Sequence, residues 1–171
     1  MISDMVERRR EYQSEIGGRD FFPAALALLS KLRVAGYKVA MVTGSSRKSV
    51  QQVLTPEIGD LLDLVITADD VTHPKPEPQP FEMAARGMGV PPAHCLAVEN
   101  APYGIQSAKA AGCPVIAICT TLAPEDLQGA DWIVPDQAAL ASLLASGAPS
   151  SFETGVQPAP NLVPRSSSEP W

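Results

Sequence analysis

Short, largely apolar runs alternate with stretches of helical periodicity along most of this chain. The runs are YKVAMV (37–42), LDLVI (62–66), CLAV (95–98), PVIAI (114–118) and DWIV (131–134). Each is too short for a helix and lacks the polar alternation of a half-exposed strand, so each predicts a strand buried on both faces. Helices are predicted between them, over SRKSVQQVL (46–54), 79–88, 102–111 and 136–146. Upstream, a helix is expected from Phe22 to Ala35, with Asp20 and Pro23 at its start, Leu26, Leu29 and Leu32 as its stripe and Gly36 as its stop. A polar helix over 3–16, stopped by Gly17-Gly18, precedes it. Buried strands alternating with helices predict an α/β fold, a mostly parallel sheet with helices on both faces.

The pattern fades after Gly147. Proline is twice as frequent as usual, 17 in 171 residues, and the Ser- and Pro-rich segment 148–171 has no aliphatic period, so a disordered tail is expected there. The net charge of −6 argues against nucleic acid and anionic membranes as partners, both of which select basic patches. No apolar run approaches the roughly 20 residues of a membrane-spanning helix, and the opening MISDMVERRREYQ is unlike a signal peptide. Three cysteines, Cys95, Cys113 and Cys119, cannot all pair, and they lie in or beside apolar runs. Reduced thiols in a cytoplasmic protein are the expectation.

Ligands of open α/β sheets bind beyond the carboxyl ends of the strands. The run 37–42 is followed by Thr43-Gly44-Ser45-Ser46. Hydroxyls and free backbone N–H groups at a helix start suit an anion, although Ser45 or Ser46 acting as a helix cap explains the same residues. After 62–66, Lys75 stands between two prolines in THPKPEPQP. A stiff loop could present its ammonium to a phosphate or carboxylate, or simply hold it in water. His73 reads as a loop residue, and Asp69 and Asp70 as solvated turn residues, either of which could also face the crevice. After 95–98 comes Glu99-Asn100-Ala101-Pro102. Asn100 as cap and Pro102 in the first turn account for those two residues, but a carboxylate directly after a buried strand needs a cation, a metal or a lysine. GSSRKS lacks the glycine spacing and GK[ST] ending of a P-loop, and no GxGxxG or HExxH is present.

Taken in order, MVTGSS, KPEPQPFEMAARGMG and CLAVENAPYGIQSAKAAG resemble the haloacid-dehalogenase-like (HAD) hydrolases, in the β-phosphoglucomutase and phosphoglycolate-phosphatase branch. The resemblance covers about residues 18–146. It implies a Rossmann-like core with a helical cap, and phosphoryl transfer through an aspartyl-phosphate with Mg²⁺. Thr43, with Gly44 and Ser45 beside it, would hold the transferring phosphate. Lys75 would neutralise phosphate charge and orient the nucleophile, and Glu99 and Asn100 would bind Mg²⁺ directly or through water. A metal, a lysine and hydroxyl donors are what such chemistry needs, because it depends mainly on charge neutralisation and positioning.

The chain departs from the family pattern at Asn100, which brings a neutral oxygen where a second acid is usual, and at Gln79, where relatives often have Asp. The largest departure is the family's DxDx[TV] nucleophile motif: none of the nine aspartates has another two positions on. The resemblance therefore implies a core (18–147) lacking its first strand, preceded by a remnant of the cap (1–17). Two functions follow. One is the C-terminal portion of a Mg²⁺-dependent phosphatase or phosphomutase for a small phosphorylated metabolite such as a sugar phosphate. The other is a non-catalytic phosphate-binding or protein-interaction module derived from that fold. Dehalogenase chemistry and a phosphate-receiver domain are weaker options, and the sequence names no protein partner.

Overall fold

A computed structural model describes residues 23–145. The helix expected over 3–16, the cap remnant 1–17, the helix start at Asp20 and Phe22 and the tail 148–171 lie outside the described residues. Helix α1 (Pro23–Val34) leads to strand β1 (Ala40–Val42), then α2 (Arg47–Val53) and a single turn, α3 (Pro56–Gly59). Next come β2 (Leu64–Ile66), a 3₁₀ turn at Ala68–Asp70 and α4 (Gln79–Met88). A further 3₁₀ turn (Pro92–His94) precedes β3 (Ala97–Glu99) and α5 (Pro102–Ala110). Strand β4 (Val115–Ile118), a 3₁₀ turn (Pro124–Leu127), β5 (Trp132–Val134) and α6 (Gln137–Ala145) complete the order.

All strand pairs are parallel, and the helices lie on both faces, as the apolar runs predict. Strand β4 shows why its sequence carries no polar alternation. All four of its residues are buried, Val115 and Ala117 against Phe81, Ile105 and Ala108, and Ile116 and Ile118 against Val134 and Leu140. Each face thus rests on a helical layer, with α4 and α5 on one side and α6 with Leu28 of α1 on the other. Gly36 ends α1 at a positive φ of 84°, where Tyr37 N–H turns back to the Leu32 carbonyl at 3.0 Å.

The sheet is in two pieces. Strands β1 and β2 form one, and β3, β4 and β5 the other, with β4 in the middle. Among the described residues no strand pairs with the second edge of β1 or of β3. Helices span the division instead. Leu26 of α1 packs on the Val50–Ile58–Leu62–Val65 cluster while Leu28 joins the Ile116–Leu140 cluster. On the opposite face α4 lies on β1 and β2 and also against α5. Its Gly87 comes so close to β2 that a Cβ there would stand 2.7 Å from Leu64 Cδ2. No separate cap-like unit stands among the described residues.

The cysteines are free thiols, Cys113 buried and Cys95 and Cys119 half-buried. Burial, with a smaller contribution from nearby Cys95, pushes the Cys113 thiol up to about 11, so it stays protonated at neutral pH. No helix among the described residues is long and apolar enough to cross a membrane.

Candidate functional site

Backbone direction fixes what reaches the division between the sheets. In a parallel ladder successive residues point their N–H and C=O groups to alternate sides. Thr43 N–H donates to the Ile66 carbonyl and Asp63 N–H to the Val39 carbonyl, so Val39, Met41 and Thr43 face β2. Ala40 and Val42 therefore face the open edge. Ala97 N–H donates to the Pro114 carbonyl, which leaves Val98 facing the open edge of β3.

Lys75 closes the carboxyl end of this division. Its ammonium donates to the Val42 carbonyl at 3.1 Å and to Glu99 Oε1, an ion pair between side chains 19% and 10% exposed. Its Nζ also lies 4.9 Å from the centre of the Phe81 ring, a cation–π contact that supports the half-buried charge. The sequence places these groups 33 and 24 residues apart, and the fold joins them through one ammonium. A third N–H of Lys75 remains for a ligand.

The loop that carries Lys75 is tied down on both sides. Gln79 Oε1 accepts from Thr72 N–H at 2.9 Å, His73 N–H at 2.6 Å and the Thr72 hydroxyl at 3.2 Å. Buried Ser107 of α5 donates its hydroxyl to the Glu77 carbonyl at 2.5 Å. Gln79 is thus a structural acceptor that holds the proline loop. His73 is an exposed loop residue, its Nδ1 3.0 Å from the Thr72 hydroxyl.

The segment after β1 is ordered from below. Thr43 Oγ1 accepts from Ser45 N–H at 3.1 Å, which leaves its own proton free to donate. Ser46 caps α2 by accepting from Ser49 N–H at 3.3 Å. Arg47 N–H, the first of α2, is already bonded to Asp69 Oδ2 at 2.8 Å. Gly44 and Ser46 N–H carry no hydrogen bond within the described residues. An anion here would meet those groups and the hydroxyls of Thr43 and Ser45, with the first helical amide taken.

Two readings of the sequence need correction. Asp69 and Asp70 are not merely solvated: Asp70 accepts from the Arg47 guanidinium at 2.6 Å and from Thr67 N–H and hydroxyl at 2.8 and 2.6 Å. The Thr67 hydroxyl, against the opposing effect of burial and with further help from Thr67 N–H and Arg47, holds the Asp70 carboxyl below the usual carboxylate range. Nor does Asn100 cap α5. Ala101 occupies the cap position without a side-chain bond, and Asn100 Nδ2 instead donates to Thr120 Oγ1 at 3.0 Å, joining the loops after β3 and β4.

For Mg²⁺ the described residues offer Glu99 and Asn100, and such an ion takes one or two side-chain oxygens and fills the rest of its shell with water and substrate. Glu99 is the carboxylate beside Lys75, and its oxygens already accept from Lys75 and, at 3.2 Å, from Asn100 N–H. Asn100 adds one neutral oxygen, and no three His, Cys, Asp or Glu side chains gather among the described residues.

Phe81, Gly104, Ser107 and Arg47 escaped the sequence reading of the site. Only Gly104 carried a signal, since a glycine inside a helix otherwise rich in small, helix-tolerant residues asks for a reason.

A family model described as haloacid dehalogenase-like hydrolase matches residues 3–112. Protein CbbY of Rhodobacter capsulatus is 30% identical over 149 residues, 82% of this chain and 66% of the relative. Hexitol phosphatase A of Escherichia coli is 38% identical over 111 residues, 61% of this chain and 49% of the relative. The crystal structure of β-phosphoglucomutase from Clostridium difficile superposes with a TM-score of 0.63 at 26% identity, covering 75% of this chain and 57% of that one. The chain thus spans about half to two thirds of the length of the relatives it matches. Its matched span, its three motifs in order and its parallel α/β core place it among the haloacid dehalogenase-like hydrolases, in the branch that includes β-phosphoglucomutase and phosphoglycolate phosphatase.

Proposed function

We propose that this chain carries the phosphate-holding part of a hydrolase site for a small phosphomonoester, such as a sugar phosphate. The observation that carries this reading is the Lys75 ammonium, fixed between the Val42 carbonyl and Glu99 at the carboxyl end of the divided sheet. A phosphoryl group entering there meets the free N–H of Lys75, the Thr43 and Ser45 hydroxyls and the Gly44 N–H. Lys75 neutralises charge on the phosphoryl oxygens, and Thr43 donates its proton to one of them. The sequence holds no DxD pair, so the attacking carboxylate is to be supplied by a strand entering between β1 and β3. Mg²⁺ belongs to that completed site, where Glu99 and Asn100 would contribute two of its oxygens. The relatives' names support a phosphate ester as substrate, since one is a hexitol phosphatase.

The test is a ³¹P NMR titration of the 171-residue protein with inorganic phosphate and a sugar phosphate, alongside hydrolysis assays with Mg²⁺. Binding without turnover is expected, with Lys75→Ala weakening binding about tenfold, the worth of one charge-assisted contact. A version extended in frame by a DxDx[TV] strand should turn over. Binding indifferent to Lys75→Ala would sink the phosphate site. Turnover by the 171 residues that disappears in Lys75→Ala would show that no added strand is needed. Binding with no turnover even in the extended form would leave the non-catalytic module as the function.

A further inference from the structure

We infer that Gly104 is a positioning residue, whose missing side chain leaves the space in which Glu99 folds back to meet Lys75. This deepens the phosphate-site reading and rests on it for its function, though not for its geometry. Glu99 closes β3, and the chain turns at once into α5, with Gly104 buried at the third helical position. The Glu99 carboxylate lies directly on the backbone of that first turn. A Cβ built on Gly104 would overlap the carboxylate carbon and both carboxylate oxygens, while no other heavy atom is among its nearest neighbours. The nearest obstruction thus comes from one side chain.

Helix propensity gives no reason for glycine here. The backbone of Gly104 is helical, with no positive φ, and alanine is the best helix former where glycine is among the worst. The rest of α5 already uses alanine, at Ala108 and Ala110. What glycine supplies is room. With a methyl group at position 104, the Glu99 side chain must rotate away from α5, and the bond from Lys75 to Oε1 is lost with it. Lys75 would then keep only the Val42 carbonyl and the Phe81 ring.

A double-mutant cycle separates this role from ordinary helix packing. Gly104→Ala is made in the natural protein and in Glu99→Ala, and urea unfolding is followed at pH 7. The Lys75 ammonium is followed by ¹H–¹⁵N NMR of lysine-labelled protein, where hydrogen bonding slows proton exchange. In the natural background Gly104→Ala should lower the unfolding midpoint and abolish the slowly exchanging Lys75 signal. In the Glu99→Ala background it should instead raise the folding equilibrium constant about fivefold, the propensity gain of alanine over glycine. Glu99→Asp, whose carboxylate reaches one bond less far toward the new methyl group, should recover part of the midpoint lost in Gly104→Ala.

An equal loss in both backgrounds, or a Lys75 signal unchanged in Gly104→Ala, overturns the inference. If Gly104→Ala does not fold, the double variant carrying both alanines decides: folding at least as well as Glu99→Ala supports the role, and failure to fold refutes it. None of these readouts uses phosphate. A protein that shows the coupling but binds no phosphate keeps the role of Gly104 and loses only the phosphate reading.

Discussion

Gln79 shows how a single side chain can decide where a charge stands. Its Oε1 collects two backbone N–H groups and one hydroxyl from Thr72 and His73, just upstream of Lys75. Three prolines stiffen the same loop, but proline supplies no N–H of its own to pin the loop to the core. Gln79→Ala should cost about 1–2 kcal/mol, because it strands two backbone donors that water only partly recovers. The sharper readout is local: amide hydrogen exchange at Thr72 and His73 should accelerate while β4 amides keep their rate relative to global unfolding. Unchanged exchange at Thr72 and His73 would show that the prolines alone hold the loop. The position was visible in the sequence as a departure from Asp, but its partners were not, since a glutamine in a loop looks the same whether bonded or solvated.

Elements were more legible than their couplings. Among the described residues each apolar run became a strand and each periodic stretch a helix within a few residues, and β4, buried on both faces, shows why such a run is apolar throughout. The turn α3 and the clamp at Arg47 and Asp70 were not legible, because the two residues lie 23 apart and meet only when β1 and β2 pair. That clamp joins the start of α2 to the turn after β2. Ser45 adds its carbonyl, which accepts from Ala68 N–H at 3.0 Å, and Arg47 N–H adds its bond to Asp69. The candidate phosphate loop is thereby fixed to the neighbouring strand's exit. The Asp70 carboxyl is held below the usual range chiefly by the Thr67 hydroxyl, so it binds fewer protons when folded than when unfolded near its ordinary value. Its stabilisation is complete above about pH 4, the unfolded value for Asp, and is lost as pH falls through the lowered native one. Asp70→Asn should therefore cost about 1–2 kcal/mol at pH 7, as loss of hydrogen bonds to a charged group does. Urea unfolding should show that difference steady from pH 7 to 5 and shrinking below about pH 4. A difference that stays constant into strong acid would mean the carboxylate charge contributes nothing.

At the scale of the whole molecule, the divided sheet sets where the protein is strong. Strand β4 is bonded on both sides and buried on both faces, whereas β1 and β3 each leave one edge unpaired among the described residues. Val98 makes the contrast plain, 45% exposed within a strand whose neighbour Val115 is fully buried. Among the described residues, helices and the Lys75 bridge cross between the pieces, which share packing but no ladder of backbone hydrogen bonds. Cooperative units usually follow such ladders, and edges open at lower free energy than interiors. Hydrogen exchange on the 171-residue protein should thus find Ile116 and Ala117 amides opening only with global unfolding. The Ala40, Val42 and Val98 amides, directed toward the division, should exchange orders of magnitude faster. Adding the DxDx[TV] strand should slow these three and leave β4 relative to global unfolding where it was. Protection of Val98 equal to that of Ile116 in the 171 residues alone would mean the edge is already covered, and would move the attacking carboxylate of the proposed hydrolase elsewhere.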